Sequence, residues 1–441
     1  SHEKVLGISD FAEFTNKNMP LWVTASCDIM PFDNGEATIG ETALLNSKGG
    51  TMAFYGTTRT VYASYNTTLN SAFMKHVLTY DTDGKPIALG EAVRRAKNEM
   101  NGKSLAENSL QYSLLGDPAL RLHLPTAHII IDSINGVDLT KANAEVAMKA
   151  GSLVTIAGHV ENNDDFNGIV SLTVRDNLET ITCHLNQPKE ADEVFEYTDR
   201  TKTIFSGDDR ITNGRFSMTF AVPKDINYSN QSGLINAFAI NDDHTLTAHG
   251  YRERFMVGGS DIAQNDSVGP SIYCYLNSPS FSNGDRVNST PYFVAEISDK
   301  DGLNTSGSGI GHDLTLVVDD DPMMTFTLND NFSFNFGSYT EGTTWYNIPE
   351  LENGPHKLKF TAWDILNNPS TTTLKFNLVK GLTPNITNVY CSNNPAKTNT
   401  TFIVSHDRSG SNVEMTIEVF DISGRLLWNH TENTQAESAT F

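Results

Sequence analysis

Cysteine is scarce in this sequence: four residues in 441, Cys27, Cys183, Cys274 and Cys391, widely separated and with no CxxC pair. That spacing argues against a zinc site and against a disulfide scaffold, so the four read as isolated thiols. Basic side chains are also few, 31 against 53 acidic ones, and the formal charge of -22 repels a phosphate backbone, which sets nucleic acid aside as a partner. Peptide, glycan and cation partners remain open. No apolar run approaches the roughly 18 residues that a membrane-spanning helix requires. The opening Ser1-His2-Glu3-Lys4 has no signal-peptide pattern. A chain that starts without Met, a few residues before an apolar strand, reads as a piece of a longer product. Asn, Thr, Ser, Asp and Gly dominate after the first quarter, a surface typical of exported β domains, so the expected location is extracytoplasmic.

What is present divides by pattern. At roughly 150 residues per domain the length suits about three domains. Up to about Leu124, strand and helix signals alternate: strands at Leu21–Ser26 and at Thr51–Gly56, the second entered from Gly49-Gly50, with a helix over Gly40–Asn46 between them. Ile87, Val93, Ala96 and Met100 form a helical apolar stripe. A β-α-β order implies a parallel sheet with crossover helices, which brings Cys27 and the loop after Gly56 to one sheet edge. After Pro125 the pattern becomes short strands between Asn, Asp and Gly turns, among them His128–Ile131, Leu153–Val160, Ile169–Val174 and Phe216–Val222. Such spacing without a helical stripe predicts an antiparallel sandwich. A second sandwich is expected from Tyr292–Ile297, Leu314–Val318, Met324–Leu328 and His356–Trp363, and the last segment holds two strands around Asp421–Arg425. The fold class read from the sequence is thus α/β followed by all-β immunoglobulin-like sandwiches. The expected divisions are 1–125, 126–259, 260–381 and 382–441, the last too short to close a full sandwich.

The chemistry concentrates at Leu21-Trp22-Val23-Thr24-Ala25-Ser26-Cys27-Asp28, where an apolar strand ends in a thiol. Open α/β sheets place reacting groups at the carboxyl ends of their strands, and a thiolate is the strongest common protein nucleophile near neutral pH. An ordinary buried cysteine is the alternative. Glu41 stands at a helix start, where the dipole favours a carboxylate. Asp28 and Asp33 flank the Cys27 loop, as pocket or cation ligands or as Asx turns. Gly116-Asp117-Pro118 reads as a turn before the last strand of the first domain. Asp299-Lys300-Asp301-Gly302-Leu303-Asn304 alternates oxygens like a calcium loop without the terminal bidentate Glu, and Asp319-Asp320-Asp321 offers further carboxylates, so Ca²⁺ is the one cofactor to test. His159, His244 and His249 show no ligand spacing.

Thr24-Ala25-Ser26-Cys27, Ile39-Gly40-Glu41, Gly49-Gly50-Thr51-Met52-Ala53-Phe54-Tyr55-Gly56-Thr57-Thr58 and Tyr112-Ser113-Leu114-Leu115-Gly116-Asp117-Pro118-Ala119-Leu120 together, in that order, resemble the gingipain-type cysteine peptidases. The nearest likeness is to the sortases of type IX secretion, with Asn393–Ala396 and Val419–Arg425 similar to that system's sorting domains. The resemblance implies a caspase-like fold in which Cys27, as nucleophile, forms a thioester with the Cys27 N–H as oxyanion donor, and no cofactor is required. It implies Glu41 near the floor of the site and Thr57, Thr58 and Tyr62 lining the substrate cleft. In a sortase the thioester passes to an amine-bearing surface acceptor, a glycolipid being the partner to consider, and the cargo carries a sorting domain. The implied location is the bacterial surface or outer membrane. The family's catalytic His belongs to a His-Gly motif well upstream of the cysteine, a position ahead of Ser1; His2 stands too close and is followed by Glu3. These residues alone are therefore expected to be an inactive half-site. A secreted hydrolytic endopeptidase, and a non-catalytic surface protein that binds through its sandwiches, are the competing readings.

Overall fold

The computed structural model describes residues 6–33, 35–100, 106–141, 146–183, 194–262, 266–307, 311–436 and 440. The chain divides into two compact units, Ser1–Thr126 and Ala127–Phe441.

In the first unit the order is α1 (Ile8–Glu13), β1 (Leu21–Val23), α2 (Ile39–Leu45), β2 (Ala53–Thr57), α3 (Ala63–Val77), α4 (Leu89–Glu99), α5 (Ala106–Gln111) and β3 (Tyr112–Gly116). Strand β2 is central and buried at all five positions, which explains why Ala53-Phe54-Tyr55-Gly56-Thr57 shows no polar alternation. Its side chains still alternate between two cores. Ala53 and Tyr55 join Leu69, Phe73, Leu89 and Tyr112 on one side, while Phe54 joins Phe11, Met30 and Ala43 on the other. Helix α2 starts where Thr38 and Glu41 cap each other, the hydroxyl accepting the Glu41 amide and the carboxylate accepting the Thr38 amide. In α4 the buried stripe is Leu89, Ala92 and Ala96, with Ile87 and Met100 buried just outside the helix and Val93 only partly covered.

The expectation of a wholly parallel sheet is corrected in one strand. Strand β1 runs parallel to β2, with Leu21 opposite Ala53 and Val23 opposite Tyr55, but β3 is antiparallel, with Tyr112 opposite Thr57 and Gly116 opposite Ala53. The cause is connectivity. Helix α5 ends at Gln111 and β3 begins at the next residue, beside the end at which β2 leaves, so no crossover returns the chain to the start of the sheet. Gly116-Asp117-Pro118 accordingly follows β3 rather than preceding a strand, and Asp117 Oδ1 accepts the Ala119 amide in a local turn at 2.8 Å.

The second unit opens with Ala127–Ile134, a strand that serves two sheets. Its first residues pair with Thr247–Arg252, and the rest pair with Leu153–Val160. One sheet continues through Leu234–Asn241 and Gly168–Arg175 to Thr203–Ile211, the other to Arg215–Ala221. Alternation sends Val154, Ile156, Val160, Val170, Leu172 and Phe220 into their shared core. The pairing is antiparallel as the turn spacing suggested, apart from the short parallel contacts at Ala127–His128 and at Ala147–Ala150 against Met256–Ser260. The former arises because the shared strand has to leave one sheet for the other.

A second pair of sheets follows. One holds Ser271–Leu276, Tyr292–Ser298, Glu341–Asn347 and Phe332–Phe334, the other Arg286–Val287, Pro369–Leu378, Gly354–Trp363, Thr315–Val318 and Thr325–Thr327, around Phe293, Leu316, Phe360 and Phe376. Asp225 ties this pair to the first: Oδ1 accepts from Asn367 Nδ2 at 2.7 Å, Oδ2 accepts from Asn304 Nδ2 at 2.8 Å, and His312 Nδ1 lies 2.8 Å from Oδ2. The last segment consists of two hairpins, Ile386–Cys391 with Phe402–His406 and Asn412–Phe420 with Leu426–Gln435.

One glycine decides how closely the first unit packs at the end of β2. A Cβ on Gly56 would lie 2.6 Å from Thr24 Oγ1 and 2.9 Å from Ile29 Cγ2. Gly56→Ala is therefore expected to destabilise the first unit by about 1–3 kcal/mol through overpacking, read as a lower midpoint of thermal or urea unfolding.

Candidate functional site

The strand expected to reach Ser26 stops at Val23, and the chain runs on beside β2 in a different way. The Thr24 amide still bonds the Tyr55 carbonyl at 3.0 Å. After that, side chains hold the backbone. Asn66 Nδ2 donates to the Ala25 carbonyl at 2.8 Å, and Thr57 Oγ1 donates to the Ser26 carbonyl at 2.5 Å. Asp28 takes a left-handed conformation, φ 49°, which short polar side chains tolerate. That turn brings its amide to the Arg59 carbonyl at 3.3 Å and the Met30 amide to the Thr57 carbonyl at 3.0 Å. Met30, fully buried, anchors the far end. Between these holds Cys27 is exposed, and its thiol donates to the Val61 carbonyl at 3.4 Å. The loop after β2 and the end of β1 do lie side by side, as the crossover argument required.

The other candidates take different roles. Thr57 is wholly buried and spends its hydroxyl on Ser26. Thr58 is buried with both its amide and its hydroxyl on the Gln111 carbonyl, at 2.8 and 3.0 Å. Neither hydroxyl is open to a cleft, a correction to the expectation for both; the small side chains stitch β2 to its neighbours. Glu41 is held by the Thr38 amide and hydroxyl, which keep its carboxyl below the usual range, so it is a helix cap. Tyr62 remains exposed at the start of α3, its ring 5.5 Å from that of Tyr65.

Asp28 and Asp33 are satisfied from within. Thr60 Oγ1 donates to Asp28 Oδ2 at 2.7 Å, and Arg59 grips Asp33 with both guanidinium nitrogens, at 3.1 and 2.5 Å, holding that carboxyl below its ordinary value. The calcium expectation is corrected likewise. The Lys300 ammonium sits 2.9 Å from Asp266 and 3.8 Å from Asp301, while Asp319 faces His356, Asp320 pairs with Lys357 and Asp321 caps a turn at Met323. Cations of the chain itself fill the places a metal would need, and the described residues contain no group of three His, Cys, Asp or Glu arranged for one.

His2 lies outside the described residues. His76 stands in the last turn of α3 with Nε2 2.6 Å from Glu99 Oε1, about 20 Å along the helix from the end that meets Cys27. His123 follows β3, which leaves the sheet at the end opposite Cys27. A groove of about 960 Å³ is lined by Ile8, Phe11, Trp22, Ser26, Asp28 and Ile39 but not by Cys27, whose thiol turns instead to Val61.

Sequence reasoning missed Asn66 and Asn108. Asn66 shares a helix face with Leu69 and Phe73, three and seven positions on. A carboxamide in an apolar stripe is buried and must find partners. Asn66 and Asn108 are 4% and 1% exposed.

Burial separates the cysteines by reactivity. Cys27 is exposed, whereas Cys274 is buried and its thiol is pushed up to about 11. Iodoacetamide at pH 8 is expected to label Cys27 in the folded protein and to leave Cys274 unmodified until denaturant is added, as read by peptide mass spectrometry.

Residues 1–123 match Peptidase family C25. No curated protein sequence matches the chain. Among solved structures the chain is similar to dimeric latent PorU from Porphyromonas gingivalis, with 30% identity and a TM-score of 0.40 over 89% of this chain and 37% of that one. It is also similar to the complex of pro- and mature domains of RgpB from the same organism, with 11% identity and a TM-score of 0.26 over 57% and 49% of the two chains. This chain thus spans 37% of the PorU chain's length. The family match therefore lies in the first unit: residues 1–123 are similar to the gingipain-type peptidases of family C25.

Proposed function

We propose that the protein is part of an exported cysteine endopeptidase whose nucleophile is Cys27, and that it acts as a sortase. The observation that carries the nucleophile is an exposed thiol at the carboxyl end of a parallel strand pair, with the two preceding carbonyls held by buried side chains. In this reading the Cys27 thiolate attacks the scissile carbonyl carbon. The carbonyl oxygen becomes an oxyanion facing the Cys27 N–H, and the C–N bond breaks as the leaving amine takes a proton from the general acid. The resulting thioester is resolved by an amine acceptor, which frees the thiol and forms a new amide; water in its place would give hydrolysis.

Neither His76 nor His123, the histidines described in the first unit, is placed to act as the imidazole partner of this step. The first unit corresponds to the catalytic portion of a caspase-like domain, and the stretches 126–259, 260–381 and 382–441 act as sandwich and sorting-type modules. Exposed Tyr62, next to the Val61 carbonyl that holds the thiol, is the residue that would meet substrate. Cargo proteins with sorting domains are the substrates, a glycolipid amine at the bacterial surface is the acceptor, and the protein works outside the cytoplasm. The support is the family match of the first unit together with the β-rich remainder.

In the full-length protein, Cys27→Ala is expected to abolish cleavage of a sorting-domain cargo, and wild type is expected to yield a conjugate only when an amine acceptor is supplied. Equal cleavage with no conjugate would leave a simple endopeptidase. Full activity in Cys27→Ala would leave a binding protein. Residues 1–441 assayed alone are expected to turn over no reporter peptide, because the thiol lacks its base; turnover that vanishes in Cys27→Ala would place the base within these residues.

A further inference from the structure

Two buried carboxamides converge on the backbone that carries Cys27. Asn108, on α5, grips residue 62 on both sides: its Oδ1 accepts the Tyr62 amide at 3.1 Å and its Nδ2 donates to the Tyr62 carbonyl at 2.9 Å. The same Nδ2 donates to Asn66 Oδ1 at 3.0 Å, which orients that carboxamide so that its own Nδ2 faces the Ala25 carbonyl at 2.8 Å. One arm thus fixes the peptide just after Val61, whose carbonyl holds the Cys27 thiol, and the other fixes the peptide two residues before Cys27. Thr57 adds a third hold at the Ser26 carbonyl.

We propose that Asn66, Asn108 and Thr57 form a positioning clamp that sets the orientation of the Cys27 thiol and amide for the peptidase step. The proposal rests on the reading of Cys27 as nucleophile. None of the three touches substrate; they act through the backbone of residues 25–27 and 61–62. A turn in which the thiol-bearing residue is followed by a left-handed Asp28 has few ladder hydrogen bonds of its own, so its geometry is only as fixed as the side chains that hold it. Burial matters for the same reason: a hydrogen bond shielded from water does not exchange for a solvent partner, and the peptide planes it holds stay put. The amide of Cys27 has no partner among the described residues and is left for an oxyanion, while the thiol donates to the Val61 carbonyl at 3.4 Å. A small rotation of the 25–27 peptides would misalign both groups at once. A misplacement of about 1 Å at a reacting centre can cost on the order of 100-fold in rate.

The test uses full-length protein carrying Asn66→Leu or Thr57→Val, changes that keep the number and branching of side-chain heavy atoms and add no charge. Two readouts are taken: kcat and KM on fluorescein-labelled casein, and the iodoacetamide rate at Cys27 across pH 6–10, with Cys183 and Cys391 as internal references. A clamp predicts that kcat falls by about 10- to 100-fold with KM within about twofold, and that the Cys27 alkylation profile shifts while the reference cysteines keep theirs. Were Asn66→Leu to lose its near-ultraviolet circular dichroism, Thr57→Val decides alone. Folded variants with wild-type kcat and an unchanged Cys27 profile would overturn the clamp. Wild-type casein cleavage that persists in Cys27→Ala would instead overturn the nucleophile reading, and the alkylation profile would then judge the clamp by itself.

Discussion

The first unit depends on the approach of the Thr24–Met30 segment to the end of β2. Gly56 leaves room for Thr24 and Ile29, Thr57 reaches across to the Ser26 carbonyl, and the Thr57 carbonyl takes the Met30 amide. Strand β2 is covered on both faces, and the exposed thiol is carried on the adjoining open stretch of residues 25–28. An apolar strand therefore does two jobs at once. It fills the two cores on either side of the sheet, and it sets the position of a reactive group at its own carboxyl end.

Charge follows a consistent logic in both units. Among the described residues the excess of acidic side chains does not collect into metal sites. Carboxylates at turns take backbone amides, as Asp321 and Asp421 do, or meet a cation from the same chain, as Asp33 meets Arg59 and Asp266 meets Lys300. Exposed pairs of this kind contribute little stability. Their effect is on shape: the bidentate grip of Arg59 on Asp33 folds the loop after Cys27 back toward the loop after β2. The carboxylate of Asp225 is different, because it takes two carboxamides and faces an imidazole where two pairs of sheets meet, and Asn304 beside it is fully buried. Removing that carboxylate would leave buried donors without partners, a far costlier loss than breaking a surface pair.

Local pattern revealed a large part of the architecture. Leu153–Val160 alternates as a half-buried strand should, and it is one, with the expected limits. The helix at Ile39–Leu45 announces itself through Thr38 and Glu41. The same patterns fail where partners are distant in sequence. Strand β3 reads like any other apolar run, and nothing within it says that it faces β2 in reverse; that follows from where α5 delivers the chain. Thr57 and Thr58 were expected in a cleft from the family resemblance, yet both hydroxyls are consumed by carbonyls 31 and 53 positions away.

By itself the sequence determined many of the strands and the helices α2 and α4, that a solitary thiol follows the first apolar strand, and that the later two-thirds of the chain is built from β modules. These depend on side-chain periodicity and on caps within a few residues, which local composition records. Only the tertiary structure decided the mixed direction of the sheet, the neutralisation of the acidic loops, and the two asparagines that reach the thiol's backbone from α3 and α5. Those outcomes arise when elements far apart in sequence meet, where burial forces each polar group to take whichever partner the fold supplies.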